Sequence, residues 1–209
     1  DNTVTVWGIP SCKILKKLTR HAGQVTAVAF SPDGRYLASA AAGEIIVWEI
    51  PSYQAYRSFR IDEASVVRTL RFSPDNRYLA SGGTSDTTVK LWDIPGAAFF
   101  RMLTGHEYNL DKKFAFSPDG RFIATSDGKN KVMIWETQDV LGKPTLVLRG
   151  KKMHNRVESI VFSPDGEYLV TGTYNNTIKL WKFPSGEFQT CLFDPVTTET
   201  HQEVNQYVA

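Results

Sequence analysis

Apolar residues in this chain come in short alternating runs, each closed by a turn and followed by a second run. The stretches "VTAVAF", "VVRTLRF", "KKFAFS" and "VESIVF" each lead into Phe-Ser-Pro-Asp. The runs that follow, "RYLASA", "RYLASG", "RFIATS" and "EYLVTG", are again apolar and β-branched or aromatic. A loop and a third run ending in tryptophan complete each unit. Runs of this length, with period-two alternation and turn residues between them, predict antiparallel strands rather than helices. A fourth strand is predicted for "CKILKKL" at 12, "QAYRSF" at 54, "AFFRML" at 98, "TLVLRG" at 145 and "EFQTCLF" at 187, which mix charge with apolar residues. That mixture suits an outer edge, where lysine and arginine discourage pairing with other chains.

The turn accounts for its own residues. Proline sets φ near −65° at the second position, aspartate bonds its own backbone, and glycine accepts the left-handed conformation that turns the chain back. Asn76 replaces that glycine in the second copy. Asparagine is the least costly substitute there, so the exception fits the turn.

The Ser-Pro-Asp turns begin at 31, 73, 117 and 163, and tryptophans fall at 7, 48, 92, 135 and 181. A period of 40 to 45 residues built of short strands is the mark of propeller blades. With "RH" at 20, "TGH" at 104, "VWE" at 47, "LWD" at 91, "IWE" at 134 and "LWK" at 180, the chain resembles the WD-repeat (WD40) β-propeller family from residue 1 to about 192. The resemblance implies an all-β fold of four-stranded antiparallel blades, four complete and one partial. The units are about 1–18 (partial), 19–59, 60–103, 104–148 and 149–192, and 193–209 is a C-terminal tail or the start of a further blade.

The resemblance further implies that histidine, serine or threonine, aspartate and the tryptophan indole form a hydrogen-bonded set in each blade. Carried over by position, the sets are His21, Ser39 and Trp48; Ser81, Asp86 and Trp92; His106, Thr125 and Trp135; and His154, Thr171, Asn175 and Trp181. Ala42 and Lys129 stand where the first and third sets should have aspartate, and the second lacks its histidine. The blades are therefore expected to rest mainly on apolar packing, each surviving polar bond adding about 1 kcal/mol. All five tryptophans are read as core.

A seven-bladed ring needs about 294 residues at about 42 per blade. With 209 residues, the chain is expected to be part of a longer polypeptide; the alternative is a five-bladed ring closed by its own ends. An open arc would favour association through its exposed sheet faces.

Composition changes this picture little. A formal charge of +2 makes no case for nucleic acid or membrane, and no apolar run approaches the roughly 20 residues of a membrane span. Two cysteines, Cys12 and Cys191, are too few for a disulfide framework, which places the chain in a reducing compartment, the cytoplasm. The histidines recur in different blades, so they do not converge on a catalytic or metal site. The expected function is thus a non-enzymatic protein-interaction scaffold without cofactor or metal. Two alternatives are a sensor or regulatory domain of a larger protein and, from another class, a propeller enzyme with a channel active site.

In the resembling family, contacts concentrate on the loops entering the first strand and joining the second to the third. By position, that rim holds Gln24, Thr26, Val66, Arg68, Ser85, Leu110, Lys112, Lys129, Arg156, Glu158 and Tyr174. The lysines around 111, 128 and 149–156 would favour an acidic or phosphorylated protein partner by screened attraction. No aromatic platform is interleaved with them, which disfavours nucleic acid.

Overall fold

Among the described residues, each alternating run contains a strand. The computed structural model describes residues 2–62, 66–83, 87–107, 113–126, 131–139, 143–149, 156–174 and 176–193. Strands β1 (Val4–Gly8) and β2 (Lys13–Leu18) pair as a two-stranded sheet. Strands β3 (Ala27–Phe30), β4 (Tyr36–Ala41), β5 (Glu44–Glu49) and β6 (Ala55–Arg60) form a four-stranded sheet in chain order. So do β7 (Val67–Phe72), β8 (Tyr78–Gly83), β9 (Val89–Asp93) and β10 (Ala98–Leu103). The remaining sheets are β11 (Phe114–Phe116), β12 (Phe122–Ser126), β13 (Lys131–Glu136) and β14 (Leu146–Arg149), then β15 (Val157–Phe162), β16 (Tyr168–Thr173), β17 (Ile178–Lys182) and β18 (Glu187–Phe193). Each four-stranded sheet is a propeller blade. There is no helix among the described residues, and so none that could cross a membrane.

Two compact units organise these sheets: residues 1–86 with 90–100, and residues 87–89 with 101–209. In the first, alternation along β5 feeds two cores. Ile45 and Val47 pack with Phe59, Val67, Leu70, Phe72, Leu79 and Trp92, whereas Ile46 and Trp48 pack with Val4, Leu18 and Leu37. A strand apolar on both faces is thereby covered by the neighbouring sheets on either side. In the second unit, Val132, Ile134, Leu146 and Leu148 pack against Val157, Phe162, Leu169 and Trp181. Trp48, Trp92, Trp135 and Trp181 are buried, but Trp7 is not. Among the described residues its sheet has two strands, so Trp7 lacks the second-strand cover that the other four have.

The four Ser-Pro-Asp turns share one hydrogen-bond pattern. Ser31 Oγ donates to Asp33 Oδ1 at 2.6 Å, Arg35 N–H donates to the same carboxylate at 3.0 Å, and Tyr36 N–H donates to Ser31 Oγ at 2.8 Å. The same three bonds recur around Ser73, Ser117 and Ser163. Bonds from Ser163 and from Glu167 N–H hold the Asp165 carboxyl below its usual value. Gly34, Gly120 and Gly166 take positive φ, and Asn76 takes φ 61° at the equivalent place. A second left-handed position, in the turns before β2, β6, β10 and β18, is taken by glycine in the last of these alone. Gly186 has φ 71°, but Cys12, Tyr53 and Ala97 stand at φ 52°, 58° and 54°.

Two inner strands carry β-bulges. Pairing shifts between Val67 and Thr69 and between Val157 and Ser159, leaving Arg68 and Glu158 as the extra residues. Glycines on the partner strands make room: a Cβ on Gly83 would lie 2.0 Å from Val66 O, and one on Gly172 would lie 2.6 Å from Ser159 Oγ.

Gly83→Ala is expected to lower stability by about 2 kcal/mol or more, because the clash is with backbone that cannot swing aside. Ala97→Gly is expected to raise it by about 0.5–1 kcal/mol through relief of the left-handed strain, less the added flexibility of the unfolded chain. Urea denaturation midpoints of the two variants against the parent chain check both signs.

Candidate functional site

The blade-pinning sets lie inside the sheets. In β3–β6, Trp48 Nε1 donates to Ser39 Oγ at 2.8 Å, and Ser39 Oγ lies 2.6 Å from His21 Nε2. His21 Nδ1 lies 3.1 Å from Glu44 Oε1. A carboxylate only accepts, so Nδ1 carries the proton, and Nε2 of the neutral ring accepts from the Ser39 hydroxyl. The relay therefore runs Trp48 to Ser39 to His21 to Glu44 with every donor used. Glu44 supplies the acid whose expected place is occupied by Ala42. Sequence reasoning looked six residues before the tryptophan; the longer glutamate reaches the same histidine from four before it, at the start of the strand.

The other sheets carry shorter versions. Trp92 Nε1 donates to Ser81 Oγ at 2.9 Å, and Trp181 Nε1 donates to Thr171 Oγ1 at 3.1 Å. In β11–β14, Trp135 Nε1 donates to Thr125 Oγ1 at 2.9 Å, and His106 Nε2 lies 2.6 Å from the same oxygen. Asp86, His154 and Asn175 lie outside the described residues.

Burial holds the His21 ring below its usual pKa of 6.5, with Glu44 opposing and the Arg20 charge assisting. Desolvation of the imidazolium outweighs the attraction of one partly exposed carboxylate.

The described rim residues fall at the ends of the first and second strands of their sheets. In the first unit Gln24 and Arg68 are exposed, whereas Thr26 is half-buried. Thr26 Oγ1 donates to Val67 O at 2.6 Å, so its hydroxyl stitches two neighbouring sheets instead of facing a partner. Ser85 lies outside the described residues, as do Leu110, Lys112 and Lys129. In the second unit Arg156, Glu158 and Tyr174 come together: Tyr174 N–H donates to Arg156 O at 2.8 Å, and Arg156 Nε lies 3.0 Å from Glu158 Oε1. The other oxygen of that carboxylate is 3.3 Å from Nζ of Lys113, a buried lysine that sequence reasoning passed over. Its signal was a charged residue in an inner-strand position that holds Ala27, Thr69 and Ser159 in the other repeats. The positive charge of this part of the rim is thus partly answered within the chain.

Among the described residues no group of histidine, cysteine, aspartate and glutamate could hold a metal ion. The repeated four-stranded blade with its tryptophan–hydroxyl pin defines a β-propeller repeat protein. The sequence matches the family model of the WD domain, G-beta repeat (WD40), over residues 12–49, 55–93, 98–136 and 142–182, more than half of the chain, and the chain belongs to that family. Its general role is that of a protein-interaction scaffold. The chain is 34% identical over 71 residues to small ribosomal subunit protein RACK1y of Oryza sativa subsp. japonica, covering 34% of this chain and 20% of that protein. It is 40% identical over 65 residues to WD repeat-containing protein 36 of Homo sapiens, covering 31% and 7%. With pre-mRNA-processing factor 19 homolog 2 of Arabidopsis thaliana it shares 31% identity over 67 residues, covering 32% and 13%. The matches thus span a fifth or less of the length of these relatives.

Ser39→Ala is expected to cost more stability than Ser81→Ala. Ser39 bonds both an indole and a buried imidazole, each orphaned group costing about 1–3 kcal/mol, whereas among the described residues Ser81 bonds the indole alone. Thermal midpoints of the two variants rank them. A pH dependence follows from His21. The unfolded chain takes up this proton near 6.5 and the folded chain only at lower pH, so the stability His21 contributes is present above 6.5 and lost as pH falls through its folded value. The gap in thermal midpoint between the parent chain and His21→Asn should therefore narrow from about pH 7.5 to about pH 5.5.

Proposed function

We propose that each unit of this chain presents a surface for a protein partner where its first strands begin, Gln24 and Arg68 in the first unit and Arg156, Glu158 and Tyr174 in the second. Binding, not bond-making chemistry, is its role. The observation that carries this reading is the β-bulge placed at equivalent positions of two blades, beneath Arg68 and beneath Glu158. Bulges re-aim a side chain out of the ladder, and each is accommodated by a glycine on the partner strand. An exposed tyrosine beside a charged pair supports the same reading, because tyrosine and arginine are enriched where partners bind. Since Arg68 and Glu158 are carried by strands already fixed in their sheets, association loses less ordering entropy.

The partner in this proposal carries acidic or phosphorylated groups, attracted by Arg68 in the first unit and by Arg156 in the second. A reducing, cytoplasmic setting belongs to the same proposal and is supported by the chain having only two cysteines, too few for a disulfide framework.

Affinity capture with Arg68, Lys112 and Arg156 reversed to glutamate is expected to reduce partner recovery by at least about tenfold relative to the parent chain. Unchanged recovery would remove this rim as the contact surface.

A further inference from the structure

Lys113 breaks the pattern of the repeats. It stands just before β11 with its side chain 4% exposed, at a place where the other repeats carry Ala27, Thr69 and Ser159. Across the ladder from it is Ser126, whose N–H donates to Lys113 O at 3.0 Å. The residues opposite Ala27, Thr69 and Ser159 are Ala40, Gly82 and Gly172. Three repeats therefore fill this place with small residues, and one buries an ammonium there.

Stability gives no reason for the exchange. Taking a charge out of water is costly, a buried ion pair recovers that cost only with good geometry, and a small residue at the same place avoids it altogether. What the lysine touches supplies a reason. Its Nζ lies 3.3 Å from Glu158 Oε2 in the neighbouring sheet, and the other oxygen of that carboxylate lies 3.0 Å from Arg156 Nε. Glu158 is the extra residue of the β15 bulge, which takes its side chain out of the ladder.

One carboxylate thus spans two cations in unlike surroundings. Lys113 is buried, whereas the Glu158 and Arg156 side chains are 41% and 47% exposed. A glutamate on an exposed bulge samples several rotamers, and confining it to one costs entropy. Held from behind at one oxygen, it presents the other in a single direction, where Arg156 Nε–H meets it. The Arg156 backbone is held too, its carbonyl accepting from Tyr174 N–H at 2.8 Å.

We infer that Lys113 is the positioning residue of the second unit's surface: through Glu158 it sets the direction of the Arg156 guanidinium beside Tyr174. The inference rests on the reading that the second unit meets its partner there, and it adds what makes that surface selective. A guanidinium held in one orientation receives a carboxylate or phosphate group at once, whereas a mobile one first loses rotamer freedom. Lys113 itself lies too deep to touch the partner.

NMR of the isotope-labelled 209-residue chain reads Arg156 directly, its Nε–H resonance being assigned by its loss in Arg156→Lys. Solvent exchange of that proton is expected to rise at least about tenfold in Lys113→Met, which keeps the length of the side chain without its charge. Glu158→Asp should act comparably, because the shorter acid cannot span both cations. Ser126→Ala, at the adjoining buried position, should leave the proton unchanged. The thermal midpoint of Lys113→Met should stay close to that of the parent, since the buried charge is removed together with its pairing. A merely structural lysine would instead lower the midpoint and leave Arg156 alone. The inference is overturned if Arg156 exchanges at the parent rate in folded Lys113→Met or in Glu158→Asp, or if Ser126→Ala loosens it as much. Lys113→Gln repeats the charge arm if Lys113→Met does not fold. Affinity capture separates this inference from the binding reading. If Arg156→Glu leaves partner recovery unchanged while exchange rises in Lys113→Met, the binding surface is lost and the positioning of Arg156 stands. If Arg156→Glu abolishes recovery and Lys113→Met recovers as much partner as the parent, Arg156 binds without help from Lys113 and the inference falls.

Discussion

The central constraint is a strand that is apolar on both faces. β5 sends Ile45 and Val47 to one core and Ile46 and Trp48 to another, and such a strand is stable only between two neighbours. No blade can bury itself alone, which is why the same unit is repeated along the chain. The polar features are arranged around this requirement. The Ser-Pro-Asp turns return the first strand against the second, and the indole–hydroxyl bonds fix the third strand against the second at one register, because slipping by one residue would carry every apolar side chain to the wrong face.

The pinning bonds satisfy groups that packing would otherwise strand. A tryptophan at the centre of a blade brings an N–H that must find an acceptor once buried, and serine or threonine on the adjacent strand provides it. Histidine and glutamate extend this in the β3–β6 sheet to a chain of three bonds. That network gives its sheet a dependence on pH that blades pinned by one bond do not acquire from the same source. Trp7 shows the converse: among the described residues it has no second strand beside it and is exposed.

Rim and edge place chemistry in different ways. At the rim, Arg68 and Glu158 stand on bulges made possible by glycine on the opposing strand, so backbone geometry aims the side chains. Charge there is moderated from within, since one carboxylate serves both Arg156 and the buried Lys113. On β2, among the described residues, the charges have no such internal answer and lie beside exposed apolar groups.

Strand order, turn positions, the left-handed asparagine at 76 and the buried tryptophans of four blades were all legible from residue types, because turns and alternation are local and repeat at a readable period. What escaped were relations between residues distant in the chain. Glu44 could replace a missing aspartate only because its longer side chain reaches His21 across the sheet. Thr26 turned inward because Val67 O of the next sheet lies within reach, and Lys113 became buried beside Glu158. The left-handed turns at Cys12, Tyr53 and Ala97 carry no glycine to announce them, because the strands they join impose the conformation. The sequence by itself determined which segments are strands and that they recur, since alternation and turn chemistry act over a few residues. The tertiary structure alone decided which polar groups meet and which apolar groups are left uncovered, since both depend on neighbours distant in the chain, 23 residues for Glu44 and His21 and 41 for Thr26 and Val67.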